Sequence, residues 1–387
     1  MRAFPRLLLV ALAVGCPASV ARAADAPSAP APAAADVERA IASGQGFLRG
    51  RFASGFEDGG RNNPVELVVL TLAKTGANAD DPVFRKGLAA LETSELRFTY
   101  RVALTAMALS EVNPRLYQRR LAHCAQWLVD TQLPAGEWGY PGTPAGDGWL
   151  PKGLGVEPPP TETGKDGAAP SAPTGRIAVQ RRSTTYAGAG PKGDFSNTQF
   201  AILGLRACRD AGVDVPVETW KAALGYLRAF QCPDGGWGYV VGGAQDEASY
   251  ASLTCAAVCS AAIALHATGS KDPKADPLVA KGLAWMKKNA AVGENTGIDR
   301  SAVAGPSPWQ CYHLYSLERA ARVLGLTEVG GKPWYPAGAA WLLGAQQGDG
   351  RWDDSGQTDD KHRHLAVADT CFALLFLARA TRPLTGK

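Results

Sequence analysis

The stretch Trp127-Leu-Val-Asp-Thr-Gln132-Leu-Pro-Ala-Gly136-Glu-Trp138 decides the fold, because its pattern occurs three times in the chain. The second copy runs from Tyr226 to Trp237 and the third from Trp341 to Trp352, with an aromatic residue, Leu, Gln, Gly and Trp at identical spacing. Each copy is typical of an amphipathic helix that ends at the Gln and is followed by a tight turn at the Gly. Three copies of one unit predict a repeat architecture.

The Gln and Trp side chains of these repeats are expected to be structural. A Gln amide can hydrogen-bond the unpaired backbone groups at the end of a neighbouring helix, and an indole ring can cover that contact. We expect each Trp to pack over its Gln rather than to line a cavity. The residues assigned this structural role are Gln132, Trp138, Gln231, Trp237, Gln346 and Trp352.

Helical periodicity extends through most of the chain and alternates in character. Twelve helices are predicted, over residues 36–52, 64–75, 81–95, 99–112, 115–132, 196–211, 216–231, 249–268, 275–291, 308–325, 335–347 and 366–381. The odd-numbered helices are amphipathic, whereas several even-numbered ones are apolar on all sides, as in Leu253–Leu265 and Cys371–Ala378. A helix that is apolar all round must be covered on every side. The alternation predicts an all-α (α/α)6 toroid, without strands, whose twelve helices form two concentric rings.

Several even-numbered helices begin with polar side chains, including Ser196, Ser252 and Asp369. Ser, Thr and Asp at helix starts commonly cap the first backbone N–H groups. A second interpretation is that these polar starts face a central cavity.

The first 23 residues are predicted to be a signal peptide. Arg2 and Arg6 flank the short apolar run Leu7–Val14, and small residues follow at Ala21-Arg-Ala23. Residues 24–35 are rich in Ala and Pro, which predicts a linker. The toroid domain is therefore expected to span 36–382. We expect an exported protein in a periplasmic or extracellular location, with lipid attachment at Cys16 as the alternative. No segment is long and apolar enough to predict a transmembrane helix.

Charge and cysteine content exclude further classes. The 387 residues carry 40 Lys and Arg against 36 Asp and Glu, a net charge of +4 to which the leader contributes three positive charges. A nearly neutral mature chain has no electrostatic footprint for nucleic acid. Seven of the eight cysteines follow the leader, and most lie in apolar helical runs where Cys acts as a small hydrophobe. A disulfide framework is therefore not expected.

One stretch, residues 141–194, interrupts the helical rhythm with Pro, Gly, Ser and Thr. Such a composition predicts a long surface loop inserted between two helices. Trp149 and Tyr186 are the residues through which this loop could instead cover a cavity as a lid.

The repeats and the twelve alternating helices resemble the superfamily of squalene–hopene cyclases and protein prenyltransferase β-subunits. The resemblance covers residues 36–382 and is strongest to exported bacterial proteins with prenyltransferase/squalene-oxidase repeats. It implies an (α/α)6 toroid with a central apolar cavity that holds isoprenoid chains in relatives. Fold does not fix function, so each catalytic residue has to be checked in this chain.

The resemblance directs attention to the start of the last helix. Class II terpene cyclases protonate an alkene with the middle acid of a D-x-D-D-T-A segment. The matching stretch reads Ala366-Val-Ala368-Asp369-Thr370-Cys371, so the acid position holds Ala368 and the cyclase motif is not intact. We expect Asp369 at a helix N-terminus to have a lowered pKa, which is unfavourable for a proton donor.

Protein prenyltransferases hold zinc through an Asp-x-Cys pair and a His. Asp369 and Cys371 match the pair and His313 supplies the His, although it precedes the pair here whereas in the family it follows. The alternative, which we prefer, is a capping Asp with two core residues and no metal. The acidic segment from Trp352 to His364 could hold a divalent cation or be a solvated loop.

The predicted function is the binding of an isoprenoid-like or other apolar ligand, with no cofactor. One alternative is an enzyme of the terpene cyclase/mutase or prenyltransferase type that uses Asp369. Another is a polysaccharide-active toroid, which needs two carboxylates on one groove, with Asp194 and Asp369 as the pair. The expected partner is an apolar small molecule or lipid, and the sequence assigns no protein partner. The candidate ligand contacts are Phe200, Tyr250, Trp309, Tyr312, His313 and Phe372.

Overall fold

The computed structural model of the protein describes residues 31–56, 64–78, 80–139, 175–181, 193–239, 249–298, 309–354 and 363–384. These residues contain twelve α-helices: α1 (Ala34–Arg51), α2 (Val65–Lys74), α3 (Pro82–Thr93), α4 (Thr99–Val112), α5 (Gln118–Asp130), α6 (Phe195–Asp210), α7 (Val217–Ala229), α8 (Ala251–Ala267), α9 (Pro277–Asn289), α10 (Gln310–Leu324), α11 (Trp334–Ala345) and α12 (Arg363–Leu377). The predicted all-α class is confirmed.

The even-numbered helices form a closed inner ring. Each of α2, α4, α6, α8 and α10 packs on the next even-numbered helix, and α12 packs back on α2. The odd-numbered helices lie outside, each against its even-numbered neighbours. Helix α8 shows the consequence, because all fifteen residues from Ala251 to Leu265 are buried. The chain is therefore an (α/α)6 toroid, as the alternation of apolar character predicts.

Local chemistry sets several helix starts. The carboxylates of Asp81, Asp194 and Asp276 cap α3, α6 and α9 by accepting backbone N–H groups of the first turn. Gly325 ends α10 in the left-handed conformation, at φ +63°, where a residue without Cβ is favoured.

The expectation of no strands is corrected by two short ladders. Strand β1 (Ile177–Ala178) pairs in parallel with β2 (Val213–Asp214), and β3 (Glu328–Val329) pairs antiparallel with β4 (Lys332–Pro333). Two-residue strands carry too little periodicity to be recognised in a sequence. The β1 strand lies within the predicted 141–194 insertion, and it ties the described part of that segment to the chain following α6.

Each repeat Trp joins an outer helix to an inner one. The indole Nε1 of Trp138 donates to the Leu128 carbonyl at 2.7 Å, and its backbone N–H donates to Thr198 Oγ1 at 3.1 Å. The same two bonds recur at the other copies, from Trp237 to Leu227 and Thr254 and from Trp352 to Leu342 and Thr370. All three indoles are fully buried.

Each repeat Gln joins its own turn to the next outer helix. The Nε2 of Gln132 donates to the carbonyls of Gly136 at 2.9 Å and of Thr219 on α7 at 3.0 Å. Gln231 makes the matching pair to Gly235 and to Leu278 on α9, and Gln346 to Gly350 and to Ala40 on α1. The last of these bonds joins the turn after α11 to α1 and closes the outer ring.

The turn glycine of each repeat has no room for a side chain. Gly136 has φ +105°, and a Cβ on it would lie 2.0 Å from the Ala222 carbonyl oxygen of α7. Gly235 and Gly350 approach α9 and α1 in the same way. We call the Gln, Gly and Trp of one copy, with the Thr that its Trp contacts, a clasp.

Several sequence interpretations lie outside the described residues. They concern the signal peptide of residues 1–23, most of the 24–35 linker, the possible lid residues Trp149 and Tyr186, and residues 355–362 of the acidic segment. Helix α1 begins at Ala34, inside the predicted linker. The seven cysteines in the described part of the chain are free thiols, six of them buried. None of the helices described is both long and apolar enough to cross a membrane.

Candidate functional site

The third clasp brings two carboxyl groups and a thiol together. Asp354 follows Trp352 by two residues, Asp369 precedes the clasp Thr370, and Cys311 lies in the first turn of α10. The Cys311 N–H donates to Asp354 Oδ2 at 2.7 Å, and the Asp354 N–H donates to Asp369 Oδ2 at 3.2 Å. One ligand atom from each of the three side chains lies within 4.8 Å of the others. We call Asp354 and Asp369 the acid pair.

Burial makes both carboxyl groups of the acid pair harder to ionise. Burial and the adjacent Asp354 charge raise the pKa of Asp369 well above its ordinary value. Burial also raises the pKa of Asp354, but the hydrogen bonds that its carboxylate accepts favour its ionised form. Asp369 is therefore the member of the pair that keeps its proton to the higher pH. Two carboxyls in direct contact share one proton in this way because both cannot ionise cheaply.

This geometry corrects the expectation of a lowered Asp369 pKa. Helix α12 begins at Arg363, so Asp369 lies in its second turn rather than at its N-terminus. A capping carboxylate accepts from N–H groups that follow it, and those after Asp369 lie in the helix interior, so its side chain accepts from the Asp354 N–H instead. The helix dipole falls off within the first turn and does not dominate here.

The proposed zinc trio of Asp369, Cys371 and His313 is not brought together. His313 Nε2 lies 2.8 Å from the Ala291 carbonyl oxygen, and burial lowers the pKa of the ring to about 4. Cys371 contacts Thr71 on α2, and burial raises the pKa of its thiol to about 12. Among the described residues, the group with metal-ligand chemistry is Cys311 with the acid pair, which offers three ligand atoms of types that zinc accepts.

An aromatic surface lies beside the acid pair on the ring axis. Most inner-helix residues are fully buried, but Tyr100, Tyr312, Ala368 and Phe372 are half-buried. These four residues come from the inner helices α4, α10 and α12. The rings of Tyr312 and Phe372 meet edge to face at 5.6 Å. We call these four residues the axial face.

A chain of polar contacts runs inward from the axial face. The Tyr100 hydroxyl contacts the Ser196 hydroxyl, which lies 3.1 Å from the Tyr312 hydroxyl. Gln199 Nε2 donates to the Tyr312 hydroxyl, and Gln199 Oε1 accepts from Arg319 Nη2 at 2.6 Å. The axial face is thus backed by fixed hydrogen-bonding groups rather than by loose side chains.

The other predicted ligand contacts fall in different places. Phe200 is fully buried beneath Tyr100, at a ring distance of 4.7 Å, and His313 is fully buried at Ala291. Tyr250 and Trp309 precede α8 and α10, and the Trp309 side chain is 43% exposed. Tyr312 and Phe372 are the two predicted contacts on the axial face.

The second predicted carboxylate, Asp194, does not join Asp369. Its two oxygens accept from the backbone N–H of Asn197 at 2.7 Å and from the Asn197 side chain at 2.8 Å. Burial raises the pKa of Asp194, against the lowering effect of these bonds. The partner of Asp369 is Asp354, which belongs to the acidic segment noted in the sequence but was not predicted to pair with Asp369.

A pocket opens at the opposite end of the inner ring, near the C-terminal ends of its helices. Its cavity volume is about 90 Å³. Leu70, Met107, Leu203, Tyr315 and Leu375 form apolar walls, and charged side chains including Lys74, Glu111, Arg206 and Arg319 surround them. We call it the C-terminal pocket, and nothing in the sequence pattern points to it.

The sequence does carry a signal for the acid pair. After the clasp Trp, the first two copies read Trp-Gly-Tyr, at Trp138 and Trp237, whereas the third reads Trp-Asp-Asp at Trp352. The residue before the clasp Thr is Asn197 or Leu253 in the first two copies and Asp369 in the third. Comparison of the copies with each other, rather than with other proteins, would have found both acids.

Comparison with known proteins identifies the fold. The type II terpene cyclase MstE from Scytonema, without ligand, aligns over 89% of this chain and 99% of its own, at 13% identity and a TM-score of 0.50. A second structure of that cyclase, a variant in complex with its product merosterolic acid A, gives 14% identity and a TM-score of 0.51 over 89% and 97% of the two chains. An unsaturated glucuronyl hydrolase specific for heparin aligns over 89% and 97%, at 10% identity and a TM-score of 0.51. No protein-family model and no curated protein matches the chain. At these identities the likeness shows the α/α-toroid fold alone.

Proposed function

We propose that the protein binds an apolar, isoprenoid-like ligand on the axial face. The observation that carries this proposal is the half-buried aromatic surface of Tyr100, Tyr312 and Phe372, with the small side chain of Ala368 between the helices. Small-molecule sites are usually lined by apolar and aromatic side chains with a few fixed polar groups, which is the composition of the axial face.

The position of Ala368 supports binding over cyclisation. Ala368 occupies the place that the resemblance assigns to the alkene-protonating acid, and with Phe372 it is half-buried on α12. Asp369 is turned aside to Asp354 and is only 4% exposed. The cyclase with the similar fold holds merosterolic acid A, which agrees with an apolar occupant of the ring.

Extraction of the purified protein tests the proposal. We expect organic extracts of the wild-type protein, analysed by mass spectrometry, to contain an apolar lipid in stoichiometric amount. The variant Ala368→Trp, which fills the axial face, should lose it, whereas Ala89→Trp on the exposed side of outer helix α3 should retain it. Equal lipid content in both variants would contradict binding at this face.

A second candidate function is acid catalysis by the acid pair, an enzyme of the terpene cyclase/mutase type. One observation favours it, namely the close contact of Asp369 with Asp354, which together with burial raises the pKa of Asp369. A protonated carboxyl beside an aromatic surface is the arrangement that general-acid chemistry on an apolar substrate requires.

Product analysis separates the two candidates. The protein is incubated with squalene and with a linear C20 diphosphate, and the extracts are analysed by gas chromatography. Cyclic products that disappear in Asp369→Asn and persist in Asp349→Asn would assign catalysis to the acid pair. Retained but unconverted lipid supports the binding function.

The polysaccharide alternative lacks a supporting observation. Cleavage of a glycosidic bond needs two carboxyl groups on either side of the bond, about 5 to 10 Å apart. Asp354 and Asp369 hydrogen-bond each other directly, so no sugar fits between them. The likeness to the heparin-specific glucuronyl hydrolase rests on the fold.

We further propose that the chain is exported after removal of residues 1–23, on the strength of the charged and apolar pattern of its leader. N-terminal sequencing of the protein from its native cell fraction tests this. A mature N-terminus near Ala24 is expected, and an intact Met1 in the cytoplasmic fraction would contradict it.

A further inference from the structure

Arg319 is a buried cation with unused hydrogen-bond donors. It lies on inner helix α10, is 1% exposed and lines the C-terminal pocket. Its Nη2 donates to Gln199 Oε1 at 2.6 Å and to Ser316 Oγ at 2.9 Å. Its Nε and Nη1 have no hydrogen-bond acceptor among the described residues. Buried donors without an acceptor are rare, because each forfeits its hydration without replacement.

The carboxylates near Arg319 are engaged elsewhere. Glu111 binds Lys74 at 2.5 Å and Arg382 at 2.8 Å, and Asp210 lies 3.5 Å from Arg206. Glu318 accepts from the backbone N–H and the hydroxyl of Thr381, and burial raises the pKa of its carboxyl to about 7. The positive charge of Arg319 is therefore poorly balanced, which is costly in a buried site.

Aromatic rings hold the guanidinium in place. The Arg319 Cζ lies 4.1 Å from the ring centre of Tyr315 and 5.4 Å from that of Phe200. Contact with aromatic faces stabilises a cation. Together with the hydrogen bonds to Gln199 and Ser316, these rings fix the plane of the Arg319 guanidinium. The fork is thus already oriented, so a ligand that binds it does not have to order a flexible side chain.

The C-terminal pocket has the size and charge of a site for a small anion. Its volume of about 90 Å³ corresponds to roughly six water molecules at ~15 Å³ each, too little for a long isoprenoid chain. Four cationic side chains line it against the two carboxylates, Glu111 and Asp210. The cationic members are Lys74, Arg206, Arg319 and Arg382.

We propose that the C-terminal pocket binds a phosphate or carboxylate group at Arg319. Charge-assisted hydrogen bonds from a guanidinium to either group are among the strongest in proteins. The anion would supply an acceptor that Nη1 lacks and would balance the buried charge. The site differs from the axial face in position and in ligand chemistry, and it does not depend on the proposed apolar-ligand function.

Calorimetric titration with inorganic phosphate at constant ionic strength tests the proposal. We expect saturable one-site binding to the wild-type protein and to Arg39→Met, a control that removes an exposed Arg. Arg319→Met should abolish binding, and Arg319→Lys should weaken it by about tenfold, because Lys lacks the fork. Absence of saturable binding to the wild-type protein, or unchanged binding by Arg319→Met, would overturn the proposal.

A second variant protects the test against misfolding. Ala207→Leu narrows the pocket from its half-buried wall and leaves Arg319 unchanged, so it should weaken phosphate binding at least tenfold in a folded protein. Circular dichroism establishes the folded state of each variant. Phosphate binding by a folded Ala207→Leu at wild-type strength would contradict the assigned pocket.

The source of the anion is distinguished by a second titration with dodecyl phosphate below its micelle concentration. Binding more than tenfold tighter than that of inorganic phosphate identifies a lipid headgroup whose tail follows the apolar walls. Binding equal to or weaker than that of inorganic phosphate identifies a free anion. In either case Arg319→Met should lose binding of the anion, because both sources share the same headgroup chemistry.

Discussion

The three clasps are alike in their framework and differ in the residues next to their Trp and Thr. In all three, Trp bonds the carbonyl ten residues earlier and the Thr of an inner helix, and Gln bonds the next outer helix. Two of the differing positions are the second residue after the Trp and the residue before the Thr. They hold Asp354 and Asp369 in the third clasp, whereas the first has Tyr140 and Asn197 and the second has Tyr239 and Leu253.

This comparison separates stability from chemistry. The Gln Nε2 and Trp Nε1 donors of each clasp bond backbone carbonyls, so these donors are not available to a ligand. In the third clasp the two variable positions contact each other and Cys311, while the Trp352 and Gln346 bonds match those of the other copies. A repeat fold can therefore acquire a titratable pair in one copy without redesign of the others.

The largest expected effect comes from removal of a clasp Trp. Trp237→Ala leaves a buried cavity and removes the bond to Leu227, so we expect the free energy of unfolding to fall by ~3–5 kcal/mol. Urea denaturation measures the change. Trp309→Ala, at a side chain that is 43% exposed, is the matched control and should cost far less. Equal losses would mean that the buried clasp is not what stabilises the ring.

The turn glycine gives the next effect. Gly136→Ala would place a Cβ 2.0 Å from the Ala222 carbonyl oxygen in addition to its strain at φ +105°. We expect a loss of ~2–3 kcal/mol in unfolding free energy. Gly55→Ala, at φ +113° with open space around it, carries the backbone strain alone and should cost about 1 kcal/mol. If urea denaturation gives equal losses for the two variants, the close approach of Gly136 to α7 does not contribute to the free energy of unfolding.

The acid pair should make stability depend on pH in a defined direction. The Asp369 pKa is raised above its ordinary 3.8, so the folded protein holds this proton more tightly than the unfolded chain. The resulting stabilisation is present below that ordinary value and is lost as the pH rises through the raised pKa. Asp369→Asn cannot ionise, so its unfolding free energy relative to the wild type should rise with pH.

Each unit by which the Asp369 pKa is raised corresponds to about 1.4 kcal/mol of this change. Urea denaturation between pH 4 and pH 8 measures it, with Asp349→Asn on an exposed turn as the control. A constant difference between Asp369→Asn and the wild type across this range would show that Asp369 ionises normally.

The smallest predicted effect comes from Asn197→Asp, a substitution that makes the first clasp resemble the third. The Asn197 amide donates to Asp194 Oδ2, and Asn197→Asp would replace this donor with a second carboxyl group. We expect a loss of about 1 kcal/mol at neutral pH, relieved in acid when one carboxyl is protonated. Thermal unfolding at pH 4 and pH 7 tests it. A pH-independent loss would indicate damage to the α6 cap rather than carboxyl repulsion.

The fold could be predicted from the sequence because its signals are local. The period of the apolar residues and the spacing from Gln132 to Trp138 each span a dozen residues or fewer. The acid pair was missed because the clasp brings Asp354 to Asp369 across a turn, and the pKa of Asp369 then follows from that contact. Arg319 was missed because the sequence pattern around it is typical of the polar side of a helix. Its burial becomes visible only when the inner ring closes.

Titration with geranylgeraniol, a linear C20 isoprenoid alcohol, tests most directly whether the third clasp borders a ligand site. The wild-type protein and Ala89→Trp should bind it saturably with equal affinity, monitored by calorimetry. Ala368→Trp, which fills the axial face beside the acid pair, should bind it at least tenfold more weakly while its circular dichroism stays unchanged. No saturable binding to the wild type, or equal binding to Ala368→Trp, would contradict an apolar site on the axial face.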